Sequence, residues 1–175
     1  MSEKPLKLKG RVWVIRDADS NPIDDIDTDM IFHNAHLAIT DINEMGQHAF
    51  GNLRGWEDFP QKAKPGDILI IGGNFGAGSS RQQAVDCFIA LGIGGVVAES
   101  YGAIYKRNAI NAGFPILECP GIMDANIESG QEIEIDLETS KLANITTGQE
   151  IPGLKPFSKV QMDIYQAGSL FGVTP

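Results

Sequence analysis

The segment Gly72-Gly73-Asn74-Phe75-Gly76-Ala77-Gly78-Ser79-Ser80-Arg81 concentrates chemistry-bearing residue types in one short stretch. Closely spaced glycines let a backbone approach a ligand, and successive N–H groups leading into a helix form an anion site. Two hydroxyls and a guanidinium stand where those donors would converge. The same spacing also suits a tight strand-to-helix connection in which Ser79 or Ser80 is the N-cap. Arg81 tips the balance toward binding, because a helix start ordinarily prefers acidic residues and a cation there implies a bound anion.

Familiar phosphate and nucleophile motifs do not fit this stretch. A Walker loop needs lysine where Ser79 stands, and a dinucleotide fingerprint needs glycine where Arg81 stands. A nucleophile elbow needs glycine two residues to either side of the serine; Ser80 is followed by Gln82 at that spacing, and Ser79 lies between Ala77 and Arg81. Asp17-x-Asp19-x-Asn21 begins like a calcium loop, but Pro22 replaces its glycine and Thr28 its bidentate glutamate. His33, His36 and His48 are metal ligands by type, yet they lie in a segment without helical spacing to make them converge, so no metal is expected on this chain. Asp27-Thr28-Asp29 reads as a solvated turn, and Lys106 with Arg107 as a solvated helix face.

The elements that must position the glycine segment follow from the pattern around it. Val12–Ile15 reads as a first strand, and Asp17–Asp29 as an acidic loop broken by Asn21-Pro22. From Met30 to Lys64 mostly connections are expected, with a weak helical signal over Asp41–Phe50. Ile68–Ile71 is a short continuous apolar run of the kind found in strands covered on both faces. Beyond the glycines, Ala84, Val85, Phe88, Ile89 and Leu91 are spaced as an amphipathic helix. Val96–Ala98 gives a second buried strand, Ser100–Ala112 a second helix ending at Gly113, and Pro115–Leu117 a third strand. Successive strand-helix units imply right-handed crossovers in a parallel or mixed sheet. Glu132–Leu137 alternates cleanly, Leu142–Thr146 can pair with it antiparallel, and Pro156–Ala167 reads as a final helix closed by Gly168. The expected fold is therefore α/β: a single domain over residues 1–175, layered β/β/α around a mixed, partly parallel sheet.

Composition narrows the function classes. Lys and Arg number 14 against 23 Asp and Glu, a formal charge of -9, which repels phosphate backbones and excludes nucleic acid as a partner. The longest apolar runs fall far short of the ~20 residues of a membrane span. The polar start Met1-Ser2-Glu3-Lys4-Pro5 lacks a signal core, so a cytoplasmic location is expected. Cys87 and Cys119 are too few for an iron–sulfur cluster or a four-cysteine zinc site. A stand-alone serine hydrolase would need a histidine aligned with Ser79 or Ser80, and no supporting motif is present.

Several segments, in order, resemble one family. Asp25-Ile26-Asp27-Thr28-Asp29-Met30-Ile31 resembles the Asp-x-Asp-Thr-Asp segment of isopropylmalate dehydratase small subunits, and Gly73–Arg81 resembles the glycine–serine–serine–arginine signature of the aconitase swivelling domain. The run from Ser100 to Pro115, with Arg107-Asn108-Ala109-Ile110-Asn111, resembles the helix that follows it. Gln82 stands where the family usually has glutamate, and Ala77 where it has cysteine or glutamate.

The resemblance implies a swivelling-type fold and a hydro-lyase that isomerises a 2-hydroxy dicarboxylate. It further implies a large partner subunit carrying a 4Fe-4S cluster, in a heterodimer or heterotetramer, with no cofactor on this chain. By position in the motif, Ser79 is the expected base, Ser80 an auxiliary donor and Arg81 the carboxylate clamp, with Gly76 and Gly78 shaping the substrate loop. Leu37-Ala38-Ile39 lines up with the family's substrate-selecting loop. Homoaconitase-like members carry an arginine at the place of Ala38, so an apolar substituent, as in isopropylmalate, is expected. A homoaconitase-type or methylmalate-type dehydratase and a non-catalytic anion-binding module are the alternative readings.

Overall fold

The computed structural model describes residues 3–173. Seven strands, β1 (Lys7–Val14), β2 (Ile68–Ile71), β3 (Gly95–Ala98), β4 (Ile116–Glu118), β5 (Glu132–Asp136), β6 (Lys141–Asn144) and β7 (Gln149–Ile151), form one mixed sheet in the order β4-β3-β2-β1-β5-β6-β7. Six α-helices accompany it among the described residues: α1 (Thr28–Ile31), α2 (Ile42–Met45), α3 (Phe59–Lys62), α4 (Gln83–Ala90), α5 (Ala103–Asn111) and α6 (Lys159–Ala167). α4 and α5 are the crossovers between the parallel strands β2, β3 and β4. The strand–glycine loop–helix unit expected at Ile68 is present, with β2 bounded at the expected residues.

β1 joins two kinds of sheet. Its first half pairs antiparallel with β5, from Lys7 opposite Asp136 to Arg11 opposite Glu132; its second half pairs parallel with β2, from Val12 opposite Ile68 to Val14 opposite Ile70. Alternation along the central strands then sends side chains to two cores. Leu69, Ile71, Val96 and Ala98 pack with Val85, Phe88, Tyr105 and the short helices. Ile68, Ile70, Val97, Val12 and Val14 pack with Ile133, Ile135, Leu142 and Ile151 of the antiparallel half. The antiparallel strands thus curl over one face of the parallel sheet, where α6 packs into the same core, while α4, α5 and the short helices cover the other. That is the β/β/α layering expected, and it explains why β2 and β3 are buried throughout.

Several boundaries differ from the sequence reading. β1 begins five residues before Val12, because its polar half is held by β5 rather than by its own apolar content. β7 was not expected: only Ile151 of its three residues is buried, and its pairing with β6 makes it a strand. α5 starts at Ala103 rather than Ser100, since Ser100 to Gly102 are bonded to the glycine loop. Ser158 caps α6, shortening the helix expected from Pro156. Among the described residues no helix is long and apolar enough to cross a membrane.

Candidate functional site

The glycine loop between β2 and α4 is clamped from two sides. On one side Asp24 and Ile26 accept from Gly73 N and Gly76 N, while Thr28 N donates to Ala77 O. On the other, Ser100 Oγ accepts from Asn74 N at 2.8 Å, and Gly102 N donates to Phe75 O at 2.9 Å. Gly76 has φ +81°, and a Cβ built on it would lie 2.2 Å from Cγ of Tyr105, which is buried. Only glycine lets the loop lie on the first turn of α5 in this conformation. Gly76 is itself buried with its N–H given to Ile26 O, so its contribution is clearance, not a donor to a ligand.

Beyond Gly76 the backbone turns outward. Gly78, Ser79 and Ser80 are exposed, and their N–H groups meet no acceptor among the described residues. Neither serine caps the following helix: the N-cap of α4 is Gln82, in helical conformation and without a side-chain cap. Ser79 is fixed through its carbonyl, which accepts from Thr28 Oγ1 at 3.0 Å, leaving its hydroxyl at the surface. Ser80 Oγ accepts from Asn108 Nδ2 at 3.0 Å.

Arg81 lies before the first turn of α4, and its side chain, only 13% exposed, runs toward α1. Nη1 donates to Asp29 Oδ1 at 3.1 Å and to the Phe32 carbonyl at 2.6 Å. Asp29 is itself held by Asn34 N at 2.9 Å and by Asn52 Nδ2 at 3.0 Å. Its hydrogen bond from Arg81 keeps the carboxyl below the usual carboxylate range. The run read as a solvated turn is therefore structural: Asp27 caps α1, Thr28 is buried under Ser79, and Asp29 orients Arg81. Asn52 and Asn108 are site residues to which sequence reasoning gave no role, and Thr28 and Asp29 lie in the acidic turn whose chemical role it left open. No local spacing reveals them, since each meets its partner only when distant loops fold together. Lys106 and Arg107 are exposed, as expected.

The Leu37–Ile39 segment lies beside the same cluster. Phe32 O holds Arg81, and Leu37 O accepts from Gln83 Nε2 at 3.3 Å. Leu37 and Ala38 are exposed, whereas Ile39 is half-buried and packs against the helical-side core, so two of the three side chains face outward. Behind the loop His36 and His48 stack with ring centroids 3.7 Å apart, and burial together with the neighbouring His36 pushes the His48 pKa down. His33 Nδ1 accepts from Ala35 N. No group of three or more metal-ligating side chains converges among the described residues.

A cleft of about 1000 Å³ is lined by residues including Asp24, Met30, Asn52 and Trp56 but by none of Ser79, Ser80 and Arg81. Ser79 and Ser80 stand on an open face instead, with the Arg81 side chain largely covered beside them. The two cysteines do not fit an iron–sulfur cluster. Cys87 and Cys119 are buried in different cores, and burial pushes the first thiol far up and the second up to about 11, whereas cluster ligation needs thiolates.

Comparison with known proteins agrees with the fold. The family model for the aconitase C-terminal domain matches residues 20–120. The isopropylmalate/citramalate isomerase small subunit of Methanocaldococcus jannaschii is 40% identical over 163 residues, 93% of this chain and 90% of that one. The 3-isopropylmalate dehydratase small subunit of Pyrobaculum aerophilum is 42% identical over 165 residues, 94% of this chain and 95% of that one. A crystal structure of 3-isopropylmalate dehydratase from M. jannaschii superposes with a TM-score of 0.83 at 33% identity, covering 95% of this chain and 92% of that one. The chain belongs to the aconitase C-terminal domain family and, within it, to the 3-isopropylmalate dehydratase small subunits.

Proposed function

We propose that this chain is the small subunit of a heteromeric hydro-lyase that interconverts 2- and 3-isopropylmalate by dehydration and rehydration, a step of leucine biosynthesis, in the cytoplasm. It acts as a single swivelling unit on a large subunit that carries the 4Fe-4S cluster. The observation that carries the reading is the open face on which Ser79 and Ser80 lie beside an Arg81 already aimed by Asp29 and Phe32. Such a face has donors for a dicarboxylate but no walls of its own, so a second protein surface must complete it and exclude water.

Within the proposal this chain supplies the proton chemistry. Ser79 Oγ removes the proton beside a carboxylate during dehydration and returns it during hydration. A serine alkoxide is a strong base that needs stabilising, and the free N–H groups of Gly78 to Ser80 together with the Arg81 charge provide that. Arg81 clamps the carboxylate through its remaining donors, Ser80 contributes a hydroxyl, and Leu37 and Ala38 meet the apolar substituent with Ile39 behind them. Closure of the small subunit retains the unsaturated intermediate.

A second reading, a dehydratase for a methyl-branched malate such as citramalate, is favoured by one relative whose name includes that substrate. The test is co-purification with the large subunit and assay of the pair against isopropylmalate, citramalate, homoaconitate and citrate. Turnover of isopropylmalate by the pair, none by the isolated chain, and a loss of roughly 10²–10⁴-fold in Ser79→Ala are expected. Turnover with iron in the chain alone would sink the proposal, and near wild-type turnover in Ser79→Ala would remove Ser79 from its role as the base.

A further inference from the structure

Asn108 is the polar side chain of α5 that reaches the serine pair, with Nδ2 3.0 Å from Ser80 Oγ. Its position is set by packing rather than by the hydrogen bond itself. Gly102 N is bound to Phe75 O, and a Cβ on Gly102 would meet Gly76 O at 2.8 Å, so the start of α5 sits directly against the glycine loop. One turn on, the Tyr105 ring lies under Gly76, and its hydroxyl donates to Ala84 O of α4 at 3.0 Å. Residues three apart share a helix face, so Asn108 follows Tyr105 onto the side that carries the loop. The neighbouring Lys106 and Arg107 are exposed, and Ala109 is buried in the core.

We infer that Asn108 is a positioning residue that fixes the direction of the Ser80 hydroxyl proton, making Ser80 a donor into the site. A hydroxyl has one O–H to give and two lone pairs. With one lone pair occupied by the Asn108 amide N–H, the proton must point away from α5, toward the exposed side of the segment. Without that amide the hydroxyl rotates freely and spends part of its time donating elsewhere. This inference rests on the proposal that Ser80 is an auxiliary donor, and Asn108 acts through Ser80 without touching substrate.

The experiment uses the reconstituted two-subunit enzyme with isopropylmalate. Asn108→Ala should lower kcat by about 5–10-fold, the weight of one hydrogen bond, while KM moves by less than about 3-fold. Asn108→Asp keeps the size but presents an acceptor at neutral pH, drawing the Ser80 proton back toward α5. It should lose at least as much, and its activity relative to wild type should rise as pH falls, because a protonated carboxyl can donate again. Adding Asn108→Ala to Ser80→Ala should cost nothing more than Ser80→Ala alone, the non-additivity expected of a residue acting through its partner. Thermal unfolding and partner binding of each variant separate this from loss of fold. A damaging Ser80→Ala with a harmless or fully additive Asn108→Ala overturns this inference alone. A harmless Ser80→Ala overturns it together with the role proposed for Ser80, and an Asn108→Asp enzyme with wild-type kcat overturns the assigned direction of the proton.

Discussion

Arg81 is bound to the Asp29 carboxylate through a single nitrogen, Nη1, 3.1 Å from Oδ1. The same nitrogen donates to Phe32 O, so the pairing holds the guanidinium in place while Nη2 and Nε meet no partner among the described residues. Arg81→Lys should therefore raise KM for isopropylmalate by about tenfold or more with a smaller fall in kcat, because one ammonium cannot hold Asp29 and a carboxylate with the geometry of a fork. Asp29→Asn should raise KM less.

The same pair has a pH signature. Hydrogen bonding to Arg81 lowers the Asp29 pKa, so its contribution to stability is present above the unfolded value of about 3.9 and is lost as pH falls through the lower folded value. Between about pH 5 and 8 the Asp29 carboxylate therefore stays ionised. The KM difference between wild type and Asp29→Asn should be flat across about pH 5–8, and a titrating limb there would show that Asp29 is not held by Arg81.

Gly76 and Gly78 both have positive φ but differ in surroundings, which separates two costs. A Cβ on Gly76 meets Tyr105 at 2.2 Å, whereas a Cβ on Gly78 finds its nearest neighbour, Asp27 Cβ, at 3.7 Å. Gly78→Ala should cost only the backbone strain of about 1–2 kcal/mol. Gly76→Ala should cost more and displace the loop, lowering kcat as well as stability, and equal losses in urea titrations of the two variants would contradict the packing described.

Asp67 is a stability residue remote from the serine pair. Its buried carboxylate accepts from Arg11 Nη2 at 2.7 Å, Trp13 Nε1 at 2.8 Å and Lys64 N at 2.9 Å. Burial alone would raise its pKa, but these bonds together outweigh burial and lower it. Asp67→Ala should destabilise by about 2–4 kcal/mol, since it leaves those donors without a partner. A depressed carboxylate stabilises above its unfolded pKa, so the gap between wild type and variant, read by denaturant unfolding, should narrow as pH falls below about 4.

Ala38 is exposed beside Leu37 and near the Arg81 cluster, with room for a longer side chain. Burying a carboxylate there without a partner would cost several kcal/mol, whereas an isopropyl group gains from apolar contact. Wild type should prefer isopropylmalate to homoaconitate in kcat/KM, and Ala38→Arg should move the ratio toward the tricarboxylate. A wild-type preference for homoaconitate would remove Ala38 from the substrate loop.

Local pattern was enough for the parts whose stability is local. The continuous apolar run Ile68–Ile71, the amphipathic spacing from Ala84 to Leu91 and the alternation at Glu132 each name their element, because burial periodicity is written into neighbouring residues. The glycine–serine–serine–arginine segment was legible in the same way as the connection from β2 to α4, while its role as a ligand site is a proposal. β7, the polar half of β1 and the late start of α5 were not legible, since pairing partners rather than residue type create or shorten them. The partners of the site were decided by tertiary structure alone. Asp29 and Arg81 are 52 positions apart, and Ser80 and Asn108 are 28 apart. An acidic turn and a helical asparagine look alike whether they face water or a guanidinium. Only the folding of the Asp24–Thr28 segment and of α5 onto the glycine loop brings them within hydrogen-bond reach, where a polar contact acquires its direction and its effect.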